Sequence, residues 1–491
     1  MKPMNMLFIM SDQHSNKILG CHGHPIIKTP HMDRLAERGT RFTDAYTQSP
    51  ICVPARATIA TGRYVFDNKN WCNAHSYTGE VKGWGHRLQD EGHPVVSIGK
   101  LHYRNETDPT GFDEQIIPMH VVKGVGDLLG SIRDQVPLPV RYKGKTLSER
   151  LGPGDSTYTQ YDHDITEQTC DWLRNAASQQ NDKPWCLFSS LVCPHPPFMA
   201  PQKYYDLYNL DDMPFDKGVG DENFKRHPWI EEQRNCQYFD QHFTNETRKI
   251  AIANYFGTTS YFDDNLGKIL KALEETGLDQ NTRIVYTSDH GESLGKRGLW
   301  GKSNLYEEPA AVPMMIAGPD VPAGHVCTTP VSHIDCYQTI MDCVGLSLND
   351  EEQDLPGHSM FDIASNSNNP ERIVFAEYHA MAAATGSFML RKGRYKLIYY
   401  VNYEPELFDL ETDPEETINL AEQPKHKATL QMMEQELRNI ADPEAVDREA
   451  KASQDAIIAQ HGGREAIINQ GGFGNTPAPG EKPVFAAGSS E

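Results

Sequence analysis

The chain has 491 residues, of which 68 are acidic and 46 basic, giving a formal charge of −22 at pH 7. Such a balance excludes a general nucleic-acid-binding or anionic-membrane surface, so no nucleic-acid or membrane partner is expected, and an anionic substrate would need a local basic pocket. No apolar run of about 18 residues is present and the N-terminus lacks the pattern of a signal peptide, so the chain as written reads as cytoplasmic, or periplasmic if a signal has been removed.

Short apolar runs at 6–10, 94–98, 185–192, 283–288 and 313–317 end in polar or glycine-containing turns and alternate with helical patterns. That rhythm predicts an α/β fold with a large, mostly parallel central sheet flanked by helices. Thr29 and Pro30, followed by Met32, Leu35 and Ala36 and closed by Gly39, mark an early helix. A longer helix is predicted over about 247–276 on an apolar stripe that includes Ile250, Tyr255, Leu266 and Leu273, with Gly257 and Gly267 as weak points. After Gly357 the runs at 373–378, 387–391 and 395–400, with the turn Lys392-Gly393-Arg394, predict a smaller antiparallel sheet. From about Glu434 the chain is helical and charged, and from Gly462 it is rich in Gly, Pro, Ala and Ser, as a loop or packing arm whose last ten residues are expected to be disordered. The expected division is an α/β domain over 1–362, a small sheet-and-helix subdomain over 363–440 and a tail over 441–491. Ten cysteines without CxxC pairs read as buried thiols rather than a zinc knuckle or disulfide framework.

In open α/β sheets the ligand site lies beyond the carboxyl ends of the strands, which directs attention to the polar residues after each apolar run. The first run ends in Asp12-Gln13 and a later one in Asp289-His290. Two carboxylates and two further ligand-type side chains suit one divalent cation, Ca²⁺ ahead of Mn²⁺ or Mg²⁺, since Ca²⁺ prefers oxygen donors while an imidazole admits the others. A cationic group follows the other runs: Lys100 and His102, two apart on an extended segment and so expected on one side; His195 among prolines; and Lys302 after Gly298-Leu299-Trp300-Gly301. With Arg56 these would surround a tetrahedral oxyanion with positive charge and proton donors.

The pentapeptide Cys52-Val53-Pro54-Ala55-Arg56 resembles the maturation signature of the type I sulfatases, in the alkaline phosphatase superfamily. The choline-sulfatase-like branch is nearest, on Gly295 to Trp300 with Lys302, Val312 to Pro319, and Glu406 to Leu410 through Asp413-Pro414 to Asn419-Leu420. The resemblance implies an alkaline phosphatase-like fold and cleavage of a sulfate monoester to alcohol and sulfate. It implies that a formylglycine-generating maturase converts Cys52 to formylglycine, whose hydrate attacks sulfur, and that Asp12, Gln13, Cys52, Asp289 and His290 bind the metal. Lys100 would neutralise sulfate oxygens, Arg56 would steady the gem-diol, and His195 and Lys302 would assist departure of the alcohol. His102 would be the base that releases sulfate by elimination from the hemiacetal, an exit that a serine ester lacks. The commoner sulfatase pattern has a second Asp where Gln13 stands, which lowers the charge offered to the metal.

A phosphonate monoester or phosphodiester hydrolase of the same superfamily is the nearest alternative, and Lys100 with His102 favours the sulfatase. A noncatalytic protein binding sulfated ligands would lack the nucleophile or the cations, and all are present. The substrate is expected to be a small-molecule or saccharide sulfate ester, chosen by loops over 104–134, 199–242 and 377–387. Trp71, His75, Tyr103, Tyr158, Trp229, Tyr378 and His379 are candidate walls. The tail over 471–479 lacks the aromatic cluster of choline sulfatases, which points away from choline sulfate, and it could serve as an arm in a homo-oligomer.

Overall fold

The computed structural model of the protein describes residues 2–133, 136–141, 143–179 and 182–486. Its centre is an eight-stranded sheet of β1 (Asn5–Asp12), β2 (Gly39–Phe42), β3 (Val95–Lys100), β4 (Glu114–Met119), β5 (Cys186–Pro194), β6 (Thr282–Ser288), β7 (Met314–Ala317) and β8 (His325–Cys327). The spatial order is β4-β3-β5-β1-β6-β7-β2-β8. Only β7 runs against its neighbours, so the sheet is mostly parallel as expected.

Strand β1 shows why the apolar runs are unbroken. Met6, Phe8 and Met10 enter one core with Phe188, Val285 and Ile316 beneath α5 (Asp335–Val344). Leu7 and Ile9 enter the opposite core, which packs on α1 (Pro30–Arg38), α3 (Thr157–Ala177) and α4 (Asn245–Glu275). A strand covered on both faces has no polar alternation to display. Strands β2, β4 and β8 escaped the sequence reading for the complementary reason: β4 is an edge strand that buries only Met119 fully, and the other two are four and three residues long.

Helix α4 runs without interruption through both glycines. A Cβ at Gly257 would lie 2.7 Å from Cβ of Ala200, and one at Gly267 would lie 2.5 Å from the His31 ring. Each glycine gives up roughly 1 kcal/mol of helix propensity and gains a close approach in return.

The smaller sheet consists of β9 (Val374–Tyr378), β10 (Ser387–Lys392), β11 (Tyr395–Tyr400) and β12 (Glu406–Asp409), antiparallel in chain order. One face packs Phe375, Phe388, Leu390 and Leu397 on Met433 and Leu437 of α6 (Lys427–Ile440) and on Val446 and Ala450 of α7 (Pro443–Gln460). The other face meets the main body through Trp229 and Tyr306, and Lys396 of β11 reaches across to Glu307 at 2.8 Å. The helical region thus opens at Lys427 rather than at Glu434. All ten cysteines are free, nine of them buried. Among the described residues no helix is long and apolar enough to cross a membrane.

Buried Arg133 ties α7 to the loop after β9. Its guanidinium donates to the carbonyls of His379 and Ala383 at 2.9 and 2.8 Å, to Gln454 at 2.9 Å and to Asp447 at 2.9 Å. Replacing it with Met leaves Asp447 and two carbonyls without their shared donor, and removing one partner of a buried pair costs about 3–5 kcal/mol. Arg133→Met is therefore expected to lower the thermal midpoint and to speed proteolytic cleavage within 443–460; unchanged protease resistance would refute the tie.

Candidate active site

Two acidic side chains are brought together by strand adjacency. Asp12 is the last residue of β1 and Asp289 directly follows β6, its parallel neighbour, with Ser11 in register with Ser288. Both residues are completely buried. Two carboxylates side by side in a dry site require compensation, and Arg56 supplies it: Nη2 donates to Oδ2 of Asp12 at 3.1 Å and Nε to Oδ2 of Asp289 at 2.9 Å. Its remaining donor goes to the Lys100 carbonyl at 2.6 Å and to Ser190 at 3.0 Å. Arg56 therefore bridges the two carboxylates as a clamp.

Cys52 is the first residue of α2 (Cys52–Thr61), a helix whose ten residues are all buried. That placement sets the Cys52 side chain at the positive end of the helix. Sγ lies 3.2 Å from Nε2 of His290, 3.9 Å from Oδ1 of Asp12 and 3.0 Å from Nζ of Lys302. Burial and the Asp12 carboxylate oppose ionisation of the thiol, but Lys302 and Lys100 outweigh them and its pKa lies below the ordinary value. Burial likewise works against the Asp12 anion, yet Lys100, His195, Lys302 and Arg56 hold it well below the usual carboxylate range.

The ligand-type atoms of Asp12, Cys52, Asp289 and His290 all lie within 4.8 Å of one another. Arg56 and Lys100 engage Oδ2 of the carboxylates, whereas Oδ1 of each faces His290 Nε2, at 3.9 Å from Asp12 and 3.5 Å from Asp289. This donor set fits a divalent cation. Gln13 adjoins the cluster in the left-handed backbone region (φ 68), with its amide oxygen 2.8 Å from Nζ of Lys302 and its amide nitrogen on Glu292. Glu292, three residues after Asp289 and without a sequence signal of its own, thus fixes which way the Gln13 amide points.

A cavity opens over this floor, lined by Gln13, Cys52, Lys100, His102, His195 and Lys302. Lys100 reaches Asp12 at 2.6 Å. Its direction comes from a bulge: β3 shifts register against β4 between Ile98 and Lys100, and Gly99 adopts φ 96 where a Cβ would strike the Ser190 carbonyl at 2.3 Å. His102 is turned inward by its own left-handed backbone (φ 59), not by strand alternation as the two-residue spacing suggested. Burial first, then Lys100 and Arg56, push its pKa well below the ordinary histidine value, so the ring is neutral. His195 hydrogen-bonds through Nδ1 to the Pro196 carbonyl at 2.7 Å and packs edge-on against Tyr158.

Of the candidate wall residues, Tyr158 lines the cavity. Trp71, Tyr103, Trp229, Tyr378 and His379 are buried in packing, and half-buried His75 bonds Cys72 and Ser453. All three predicted loops contribute, through Val121 and Asp127, Gln237 and Phe239, and Met381, while Asp134 lies outside the described residues. The tail supplies wall residues that no sequence signal marked: Phe473 to Thr476 line the cavity, and Thr476 Oγ1 meets His102 Nε2 at 2.8 Å.

The Sulfatase family model matches residues 4–346, and the model for the C-terminal part of N-sulphoglucosamine sulphohydrolase matches 295–442. A choline-sulfatase of Rhizobium meliloti (strain 1021) is 31% identical over 463 residues, covering 92% of this chain and 89% of that protein. Arylsulfatase K of Danio rerio is 27% identical, covering 90% and 85%. Among solved structures, a protein in complex with its substrate D-glucosamine-2-N,6-O-disulfate superposes with a TM-score of 0.71 at 21% identity, covering 93% of this chain and 99% of that one. A phosphonate monoester hydrolase from Silicibacter pomeroyi gives 0.71 at 24%, covering 89% and 95%; these two likenesses speak for the fold. The family match along most of the sequence and the choline-sulfatase relative along nearly all of it place this chain in the sulfatase family, as a sulfuric ester hydrolase.

Proposed function

We propose that the protein cleaves a sulfate monoester to alcohol and inorganic sulfate with residue 52 matured to formylglycine and one divalent cation beside it. The observation that carries this reading is the placement of Cys52 at a helix N-terminus on the cavity floor, among two carboxylates, an imidazole and two lysines. The hydrated aldehyde would supply an oxygen nucleophile where the sequence encodes sulfur. Asp12, Asp289, His290 and residue 52 would hold the cation, which would supply Lewis-acid neutralisation of sulfate oxygens.

The chain's own groups then divide the work. Lys100 and Lys302 flank residue 52 and hold the sulfate by charge-assisted hydrogen bonds. Gln13 orients Lys302 through its amide oxygen, whose second lone pair would serve the cation. His195 reaches the departing alcohol oxygen from the wall. His102, neutral and bonded through Nε2 to Thr476, has the protonation state that a base needs and takes the proton from residue 52's second hydroxyl.

Coexpression with a formylglycine-generating enzyme is expected to yield aldehyde at residue 52 by peptide mass analysis and turnover of 4-nitrophenyl sulfate above that of an aryl phosphonate monoester. Faster turnover of the phosphonate would reverse the assignment. Cys52→Ala is expected to lower kcat/KM on the aryl sulfate by on the order of 10³ or more with an unchanged thermal midpoint.

Elemental analysis of the purified protein is expected to find one divalent ion per chain. Asp289→Asn should lower that occupancy, and chelation should abolish activity until Ca²⁺, Mn²⁺ or Mg²⁺ is restored. Full activity in metal-free protein would remove the cation from the mechanism.

A further inference from the structure

We infer that the wall of the cavity formed by Asp127, Arg141 and Asn475 is a hydroxyl-recognition subsite for the departing alcohol, so that the substrate class is a saccharide sulfate; this rests on the sulfate-ester reading of the site. Arg141 lines the cavity with its side chain 10% exposed. Nη2 donates to Oδ2 of Asp127 at 2.8 Å, while Nη1 is buried and has no partner among the described residues. Asn475, on the same cavity, donates through Nδ2 to the Pro196 carbonyl at 2.9 Å and leaves Oδ1 buried and equally unpartnered. Two residues that line the cavity thus carry one idle donor and one idle acceptor. Buried polar atoms are normally paired, and a ligand is the partner that a cavity wall can wait for.

The charge pattern selects among alcohols. Asp127 already compensates Arg141, so the pair offers both a carboxylate and an N–H at little net charge. Hydroxyl groups, which donate and accept at once, complement that combination and the Asn475 carbonyl. A quaternary ammonium such as choline's can do neither, and an ionised second sulfate could accept from Arg141 but has no proton to donate to Asn475. Phe239 and Phe473 line the same cavity and offer apolar faces to a sugar ring.

The subsite is also held in register with the nucleophile. Asn73 accepts from the Val53 amide, next to Cys52, at 3.1 Å through its side chain, and from the Asp127 amide at 3.4 Å through its carbonyl. Gly126 (φ 77) permits that approach, since a Cβ there would lie 1.9 Å from the Asn73 carbonyl oxygen.

The test uses matured full-length enzyme with three probes: a panel of glucose monosulfates, choline sulfate and 4-nitrophenyl sulfate. At least one glucose sulfate is expected to give a higher kcat/KM than choline sulfate. Arg141→Met is expected to lower kcat/KM for that sugar sulfate by roughly 10- to 100-fold, as befits loss of a charged hydrogen bond to a hydroxyl, and to lower it far less for the aryl ester, so that their ratio shifts at least about tenfold. Arg141→Lys, which keeps the charge beside Asp127 but not the planar fork, should shift the ratio in the same direction and guards against a folding defect. Equal losses on both esters, or choline sulfate preferred over every glucose sulfate, would overturn the subsite while leaving sulfate hydrolysis standing. Turnover of none of the three probes by aldehyde-bearing enzyme would overturn the reaction and the subsite together.

Discussion

The structure depends on holding two carboxylates side by side out of water. Asp12 and Asp289 come from adjacent strands of a sheet buried on both faces, so neither can relax toward solvent, and their mutual repulsion in a low dielectric would be severe without compensation. Arg56 answers it from below with a guanidinium that spans both, and Lys100 answers it from the side. Oδ1 of each carboxylate is left to the other side of the cluster, where the His290 imidazole, the encoded thiol and Lys302 are gathered beneath the cavity.

Several local distortions serve that arrangement. Gln13 and His102 occupy left-handed backbone and Gly99 sits in a bulge, all at the carboxyl edge of the sheet. Strain of this kind persists only where the surroundings enforce it, and here the enforcement is the packing of the strands just upstream. The proposed chemistry asks for a dry, cationic pocket, and the same packing that excludes water also sets the lysines against the thiol.

Much of this was legible in the sequence because strand ends are legible. An apolar run followed by polar residues marks where a parallel sheet opens, and Asp12, Lys100, His195 and Asp289 all lie at such places. What could not be read is how side chains aim. His102 faces inward through its own backbone and not through alternation, and Arg56 turns under the site because four acceptors wait for its guanidinium there. The tail was opaque for another reason: Gly471 to Pro479 have no periodicity, and their ordering comes from partners distant in the chain, with Tyr158 donating to the Thr476 carbonyl and Asn475 reaching Pro196. Short or edge strands such as β2, β4 and β8 carry too few buried residues to leave a pattern.

The contact between Thr476 and His102 sets a temporal order on the protein's birth. A ribosome delivers Asp12, Cys52, Lys100 and His102 early, Asp289 and Lys302 past the middle, and residues 473–476 only near the end of the described chain. Until residues 473–476 emerge, the cavity over Cys52 lacks that part of its wall. A chain that stops before residue 476 encodes every carboxylate and cation of the cluster but lacks the hydroxyl partner of His102.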